Sequence, residues 1–161
     1  MTISETRECL KYRFLSSKDD IGSWGHEYVR HLTAELSEEW SEIDGSTADT
    51  LITKEGLLKL AEDIVPFYMK HNAEAEACDL LMEIDKLDIL LKYVEKETYQ
   101  RVCLYLAGCV PYVPEPEDSI LLKTTYNLYR KFEQFPLALR CAIQLNDTNL
   151  IHEVFFECKD E

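Results

Sequence analysis

The sequence predicts an all-α fold, arranged as an α-solenoid-like stack of antiparallel helical hairpins. Apolar residues recur at helical spacing along most of the chain, and no stretch alternates as a strand would. In addition, the segment 68–94 matches the segment 129–155 at an offset of 61 residues. Such a self-match is typical of helical repeats, which usually hold other proteins rather than perform chemistry.

Residues at equivalent positions of the two matching segments have similar chemical character where a helical hairpin would pack or turn. The aligned pairs include Tyr68 with Tyr129, Ala77 with Ala138, Asp85 with Asn146, Ile89 with Leu150, Leu90 with Ile151 and Val94 with Phe155. Leu87 and Thr148 disagree in character, so the repeat is degenerate. Two copies are visible in the sequence.

The N-terminal third of the chain predicts two helices and a loop. A short amphipathic helix is expected over 5–15, followed by a turn-rich break over 16–22. Ser23 is the expected N-cap of a long helix to about Ile43, in which Trp24 and Trp40 share an apolar face and are expected to pack in the core. The segment 44–53 has turn chemistry and is predicted to be a mobile loop.

The middle of the chain predicts a series of shorter helices. Pro66 interrupts the pattern that begins at Lys54, and because proline removes a backbone hydrogen bond we expect the helix to kink or restart there. The helices expected next are 73–83 with Asn72 as its N-cap, a short one to about Val94 with Asp85 as its N-cap, and a strongly apolar one over 97–110.

Three prolines mark the clearest break, so 111–117 is predicted to be a proline-rich connection. Only about 45 residues follow, which is few for an independent core, and residues 1–161 are therefore predicted to form a single helical domain. The last helices are expected to start at Asp118 or Ser119, to cover 137–145 after Pro136, and to run from Thr148 to about Glu157 with Asp147 as N-cap.

Charge argues against two classes of partner. The chain has 31 acidic and 17 basic residues, a formal net charge of -14, which repels nucleic acid and anionic membrane surfaces. No apolar run approaches the roughly 20 residues that span a bilayer, and the start MTISETREC lacks the apolar stretch of a signal peptide. These features predict a soluble intracellular protein.

Residues suited to chemistry are present but are not arranged for it. The six cysteines form no C-x-x-C pair and are expected to be buried, reduced and structural. His26 and His31 would point about 140° apart on a helix and cannot share a metal ion. We therefore expect no catalytic residue, no metal and no cofactor, and a metal-dependent or cysteine enzyme is the least favoured alternative.

Two features are candidate protein contacts. Glu35, Glu38, Glu39 and Glu42 belong to an acidic run without a base between its members, which either steers a basic partner or keeps the protein soluble. Tyr112 lies in the proline segment, where it is hard to place in a core, and is the candidate for an exposed anchor.

Several strings together resemble one family. They are LKYRFL, DDIGSWGHEYVRHL, KHNAEAEACDLLMEID, RVCLYLAGCVPYVPEPED and FPLALRCAIQLND, and they occur in the family's order. The family is the large non-ATPase subunit 1 of the 26S proteasome regulatory particle, also called regulatory subunit 2. The resemblance covers most of the chain and is far more specific than a short motif.

The resemblance implies that the chain is a fragment of a larger scaffold subunit, from the helical region ahead of a toroid of proteasome/cyclosome repeats. It implies a non-catalytic role in the base of the regulatory particle, beside the ATPase ring, in ubiquitin-dependent degradation in cytoplasm and nucleus. Shuttle factors and a deubiquitinase bind the toroid in that family, so no receptor residue carries over to this chain. A stand-alone acidic adaptor that recruits a basic segment remains the alternative.

Overall fold

The computed structural model describes residues 7–16, 21–43 and 52–158, and these residues fold entirely into α-helices, short 3-10 turns and connections. The all-α prediction is therefore confirmed. Most of the predicted loop 44–53 lies outside the described residues. The chain divides into two compact units at Lys86 and Leu87, and the expectation of a single domain stays a prediction.

The described residues of the first unit form four helices that pack in sequence order. They are α1 (Glu8–Leu15), α2 (His26–Glu42), α3 (Lys54–Lys70) and α4 (Glu74–Glu83), with a 3-10 turn at Ile21–Trp24 before α2. α1 packs on α2, α2 on α3, and α3 on α4. The core therefore forms between successive helices, as it does in a solenoid.

The second unit follows the same plan. Its elements are a 3-10 turn at Leu87–Ile89, α5 (Leu90–Tyr93), α6 (Tyr99–Cys109), a 3-10 turn at Val110–Tyr112, α7 (Glu117–Lys131), α8 (Phe135–Gln144) and α9 (Thr148–Glu157). α6 packs on α7, α7 on α8, and α8 on α9. The last three helices enclose a cluster of Tyr126, Ala138, Cys141, Ala142 and Val154.

Two turns of the first unit share one backbone geometry. Asn72 follows α3 with φ 55°, and Asp85 follows α4 with φ 53°, both in the left-handed region. The next residue in each turn donates its N–H to a carbonyl five residues back, from Ala73 to Tyr68 at 2.9 Å and from Lys86 to Leu81 at 2.9 Å. This is the Schellman motif, which satisfies carbonyls at a helix end and reverses the chain.

The second unit repeats these two turns 61 residues later. Glu133 has φ 57° and Asn146 has φ 54°. Gln134 donates to the carbonyl of Tyr129 at 2.8 Å, and Asp147 donates to that of Ala142 at 3.3 Å. The self-match in the sequence is therefore a repeat of turn geometry.

This geometry corrects two N-cap assignments. Asn72 and Asp85 were expected to begin helices, yet their left-handed backbones end the preceding ones, and Ala73 occupies the N-cap position of α4. Asn and Asp suit both roles because their short polar side chains also tolerate the left-handed region. The expected cap at Asp147 is confirmed, since its side chain accepts N–H bonds from Asn149 and Leu150.

The start of α2 also differs from expectation. Gly25 occupies the N-cap position with φ 86°, so Ser23 is not the cap and Trp24 lies in the preceding 3-10 turn. Trp24 is 67% exposed, and the prediction that it packs in the core was wrong. Trp40 is half-buried, with the Lys54 ammonium 5.5 Å from its ring centroid.

Pro66 does not restart the helix that contains it. α3 runs without interruption from Lys54 to Lys70. Ile64 and Val65 before the proline, and Tyr68 after it, are buried, so core packing stabilises the helix on both sides of Pro66. Burial on this scale offsets the backbone hydrogen bond that the proline removes.

We predict that Glu133→Gly stabilises the protein by up to about 1 kcal/mol, because a residue with a Cβ in the left-handed region is strained there. The neighbouring substitution Gln134→Gly is the control, since Gln134 occupies the N-cap position of α8 with φ -91°, where removal of the Cβ relieves no left-handed strain and no such gain is expected. Urea unfolding midpoints at a constant m-value give both changes. Equal destabilisation by the two glycines would contradict the assignment of the turn.

Candidate protein-contact surfaces

Glu35, a candidate for partner contact, is engaged inside the first unit. Its side chain is 4% exposed, and its Oε2 accepts the backbone N–H of Leu10 at 2.9 Å. Leu10 is fully buried, so this N–H has no access to water. The carboxylate of Glu35 therefore ties α1 to α2.

Glu38, Glu39 and Glu42 surround the guanidinium of Arg7. Arg7 forms an ion pair with Glu39, another with Glu42 at 2.5 Å, and a longer one with Glu38 at 3.9 Å. The hydrogen bond between Arg7 and Glu42 raises the pKa of Arg7 and lowers the pKa of Glu42. Three carboxylates share one guanidinium, so this face stays acidic although a base lies at its centre.

A groove with aromatic walls lies between α1, the 3-10 turn and α2. Its volume is about 380 Å³, and its lining consists of Glu8, Cys9, Tyr12, Arg13, Ser16, Ile21, Trp24 and Tyr28. The rings of Trp24 and Tyr28 have centroids 5.6 Å apart. The sequence-based expectations did not include this groove. The signal that could have predicted it is Gly25, because a helix that begins after this glycine leaves Trp24 outside the apolar face of α2.

Tyr112 is placed on the surface, where the sequence predicted it. It lies in the 3-10 turn after α6 and is 88% exposed. Leu104 on α6 is also largely exposed, whereas Val102 and Leu106 on the opposite face are buried. Contact of Tyr112 with a partner remains a prediction.

The cysteines divide between core and surface. Cys78, Cys103 and Cys141 are buried as expected, Cys9 and Cys109 are half-buried, and Cys158 is exposed. Burial, with a smaller effect of Cys141, raises the pKa of Cys103 to about 12. Burial next to these thiols also raises the pKa of Tyr129 to about 12. Such thiols stay protonated near neutral pH and are poor nucleophiles.

His26 does not pair with His31. Its ring lies 4.4 Å from the ring of His71 and 5.0 Å from that of Phe67, as centroid distances. The Nδ1 of His71 lies 2.7 Å from the carbonyl oxygen of Phe67. Among the described residues, no group of three or more His, Cys, Asp or Glu side chains could hold a metal ion.

No helix within the described ranges is long and apolar enough to cross a membrane. Instead, short helices pack in sequence order and are joined by repeated Schellman turns. Their outer faces expose single aromatic and aliphatic side chains, Tyr112 among them. These features define a helical-repeat protein of the α-solenoid class.

The particular family follows from comparison with known proteins. Residues 1–161 match the RPN1 N-terminal domain, and the chain belongs to that family. It is 42% identical over 160 residues to the 26S proteasome non-ATPase regulatory subunit 2 homolog A of Arabidopsis thaliana. It is 46% identical over 152 residues to the 26S proteasome non-ATPase regulatory subunit 2 of Dictyostelium discoideum. The resemblance drawn from the sequence is confirmed.

A third relative is the 26S proteasome regulatory subunit rpn1 of Schizosaccharomyces pombe, 44% identical over 155 residues. The three alignments cover 99%, 94% and 95% of this chain. They cover only 18%, 17% and 17% of the respective relatives. The chain therefore spans less than a fifth of the length of these regulatory subunits.

We predict that Glu35→Ala destabilises the protein by about 1–3 kcal/mol, because it leaves the buried N–H of Leu10 without an acceptor. Glu38→Ala is the matched control. The Glu38 side chain is 41% exposed, and its loss should change the free energy of unfolding by less than about 0.5 kcal/mol. Urea titration of both variants measures the difference, and equal effects would show that Glu35 does not tie α1 to α2.

Alkaline pH should destabilise the fold through Cys103. Its pKa rises from 9.0 to about 12 in the folded chain, so stability is complete below about pH 9 and falls as pH rises towards 12. Between these pH values the thiol ionises only in the unfolded chain, which lowers the free energy of unfolding by up to about 1.4 kcal/mol per pH unit. Unfolding midpoints measured from about pH 8 to about pH 10.5 should decline less steeply in Cys103→Ala.

The control for this pH profile is Cys158→Ala, since Cys158 is exposed. Its unfolding midpoint should decline with pH as steeply as that of the unchanged chain. A Cys103→Ala profile that coincides with this control would contradict the burial of the Cys103 thiol in the fold.

Proposed function

We propose that the chain is a non-catalytic scaffold segment of the base of the proteasome regulatory particle, supporting ubiquitin-dependent protein degradation through protein contacts. The observation that carries this proposal is the match of the whole chain to the RPN1 N-terminal domain. Its relatives in three organisms are named as 26S proteasome regulatory subunits.

The way the helices pack supports a scaffold. Helices that pack in sequence order bury a core between neighbours and leave their outer faces free. In the second unit these faces carry large exposed side chains, including Leu104 and Tyr112. Exposed aromatic residues are enriched at the centre of protein interfaces, so Tyr112 is the proposed anchor.

The proposed partners are other subunits of the base, including the ATPase ring. Shuttle factors and the deubiquitinase would bind parts of the subunit that this chain does not include. The proposed compartments are the cytoplasm and the nucleus, where the proteasome acts. These assignments rest on the family and on the names of the relatives.

The alternative of an acidic adaptor gains no support from the contacts of its carboxylates. Glu35 is buried against Leu10, and the other three candidates share Arg7. A basic partner would have to compete with that guanidinium for Glu38, Glu39 and Glu42. The scaffold role is therefore the favoured proposal.

Co-purification tests the scaffold proposal. The chain carrying an affinity tag is mixed with purified proteasome base, and the bound subunits are quantified. Tyr112→Ala should weaken binding about tenfold or more, as expected for removal of an aromatic anchor. Leu15→Ala is the control, because Leu15 is also a large, mostly exposed apolar residue but lies in the first unit and outside the aromatic groove.

Each outcome of the co-purification bears on a different claim. Absence of binding to every base subunit would contradict the scaffold role. Equal binding by the Tyr112→Ala variant, the Leu15→Ala variant and the unchanged chain would remove Tyr112 as the anchor. Catalytic turnover by the chain alone would contradict the non-catalytic assignment.

A further inference from the structure

We infer that a cavity between the 3-10 turn Ile21–Trp24 and α3 is a binding site for an organic phosphate monoester, held by Lys70 and His71. The cavity has a volume of about 380 Å³, and all the residues that line it belong to the first unit. The observations behind this inference are the contacts of Lys70 and His71 and the charges around them. They do not depend on the proposed role in the proteasome.

The lining of the cavity combines apolar side chains with two groups that can carry a positive charge. Ile21, Pro66 and Phe67 supply the apolar part of the lining. Lys70 and His71 supply an ammonium and an imidazole. The volume is in the range of small-molecule sites, which pair an apolar surface with a few polar groups that orient the ligand. The cavity therefore suits a ligand with one charged end and one apolar end.

Lys70 differs from its equivalent in the second copy of the repeat. The equivalent residue, Lys131, donates hydrogen bonds from its ammonium to the carbonyl oxygens of Leu91 at 2.6 Å and of Val94 at 3.0 Å. These oxygens lie at the end of α5, which packs on α7 as the 3-10 turn Ile21–Trp24 packs on α3. Among the described residues, no oxygen accepts a hydrogen bond from the Lys70 ammonium, which lines the cavity instead. An oxygen-rich ligand in the cavity would give Lys70 the kind of partner that Lys131 already has.

The contacts of His71 prepare its ring to bind an anion. Its Nδ1 lies 2.7 Å from the carbonyl oxygen of Phe67, and because a carbonyl only accepts, Nδ1 carries a proton in this contact. The other nitrogen, Nε2, accepts in the neutral ring and donates when the ring is protonated. The rings of His26 and Phe67 lie 4.4 Å and 4.2 Å from the His71 ring, as centroid distances, and hold it in place. Protonated His71 can therefore donate to an oxyanion and keep its bond to Phe67.

The charges around the cavity favour an anion although the whole chain is acidic. The titratable groups that line the cavity or contact His71 are Lys70 and Asp63 from α3 and His26 from α2. Asp63 lies 3.9 Å from the guanidinium of Arg13, so these two charges offset each other. Among the described residues, α4 and the 3-10 turn add no charged group to the lining. The other charges behind the net charge of -14 are screened beyond about 8 Å at physiological salt.

A phosphate monoester matches these groups better than a carboxylate does. It carries a charge of roughly -1.5 to -2 at pH 7 and three acceptor oxygens, whereas a carboxylate carries a single charge. The ammonium of Lys70 and an imidazolium at His71 together supply two positive charges. Pro66 and Phe67 give an attached organic group apolar surface to cover. We therefore expect an organic phosphate to bind more tightly than inorganic phosphate.

Calorimetric titration of the chain with phenyl phosphate, at constant ionic strength and near neutral pH, tests the inference. We expect a Kd of about 1 mM or lower, and weaker binding of inorganic phosphate. Because the anion favours the protonated ring of His71, binding should take up protons, which makes the measured heat depend on the ionisation enthalpy of the buffer. A short glycine-flanked phosphotyrosine peptide is titrated in parallel. Similar affinity for the peptide would identify a phosphorylated segment as the source of the phosphate, and its exclusion would identify a small molecule, so either result supports the site.

Two pairs of variants separate the site from general charge attraction. Lys70→Gln should weaken the binding of phenyl phosphate about tenfold or more, since it removes a charge-assisted hydrogen bond. Lys59→Gln is its matched control, because Lys59 is an exposed lysine of the same helix outside the cavity. His71→Gln should abolish the proton uptake, whereas His31→Gln, on α2 beside Glu27, should leave it unchanged. Lys70 and His71 are exposed, so their substitution should leave the unfolding midpoint nearly unchanged.

Three outcomes would overturn the inference. The first is the absence of any heat of binding with phenyl phosphate. The second is an equal loss of affinity in Lys70→Gln and Lys59→Gln, which would indicate attraction by net charge alone. The third is proton uptake that survives in His71→Gln. No proteasome component is used, so the result is independent of the co-purification test.

Discussion

The left-handed turn that follows a helix is the constraint on which the rest of this structure depends. At four positions one residue with φ between 53° and 57° ends a helix and allows the next residue to bond a carbonyl five positions back. The chain then reverses within a few residues. Isolated helices of about ten residues are marginal in water, so each must be stabilised by a neighbour that the turn places beside it.

Short turns also determine where contact surfaces can arise. A connection closed by backbone hydrogen bonds has little freedom to form a binding loop, so the outer faces of the helices remain as the available surface. In the connection between α6 and α7, a 3-10 turn with prolines takes the place of the left-handed turn. Tyr112 is exposed there because proline cannot continue the helix.

An element of the fold could be predicted from the sequence when the interaction that determines it is local in the chain. The helix Thr148–Glu157 was predicted correctly because its cap, Asp147, bonds N–H groups only two and three residues away. The caps at Asn72 and Asp85 were mis-assigned because Asn and Asp suit both ends of a helix. The self-match could have corrected the assignment at Asn72. This residue aligns with Glu133, and glutamate is not a preferred N-cap residue.

Other errors came from interactions that sequence spacing cannot reveal. The apolar spacing of α2 continued back to Trp24, but the backbone of Gly25 begins the helix after that residue. The acidic run lacked a base within its own span, while Arg7 reached it from a distant part of the chain. Likewise, Glu35 became structural through the N–H of Leu10, a contact between two helices. In each case the deciding partner lies outside the periodic segment.

Comparison of the two copies of the repeat distinguishes features that the local sequence determines from features that depend on neighbouring helices. Equivalent turn residues agree within a few degrees, with φ 55° at Asn72 and 57° at Glu133, although their side chains differ. Equivalent core positions disagree, since Val94 is buried and Phe155 is exposed. Backbone geometry is therefore conserved between copies by local hydrogen bonds, whereas burial depends on which helix comes next. In such a protein, the turns define the repeat, and the packing of neighbouring helices determines which of its apolar positions are buried.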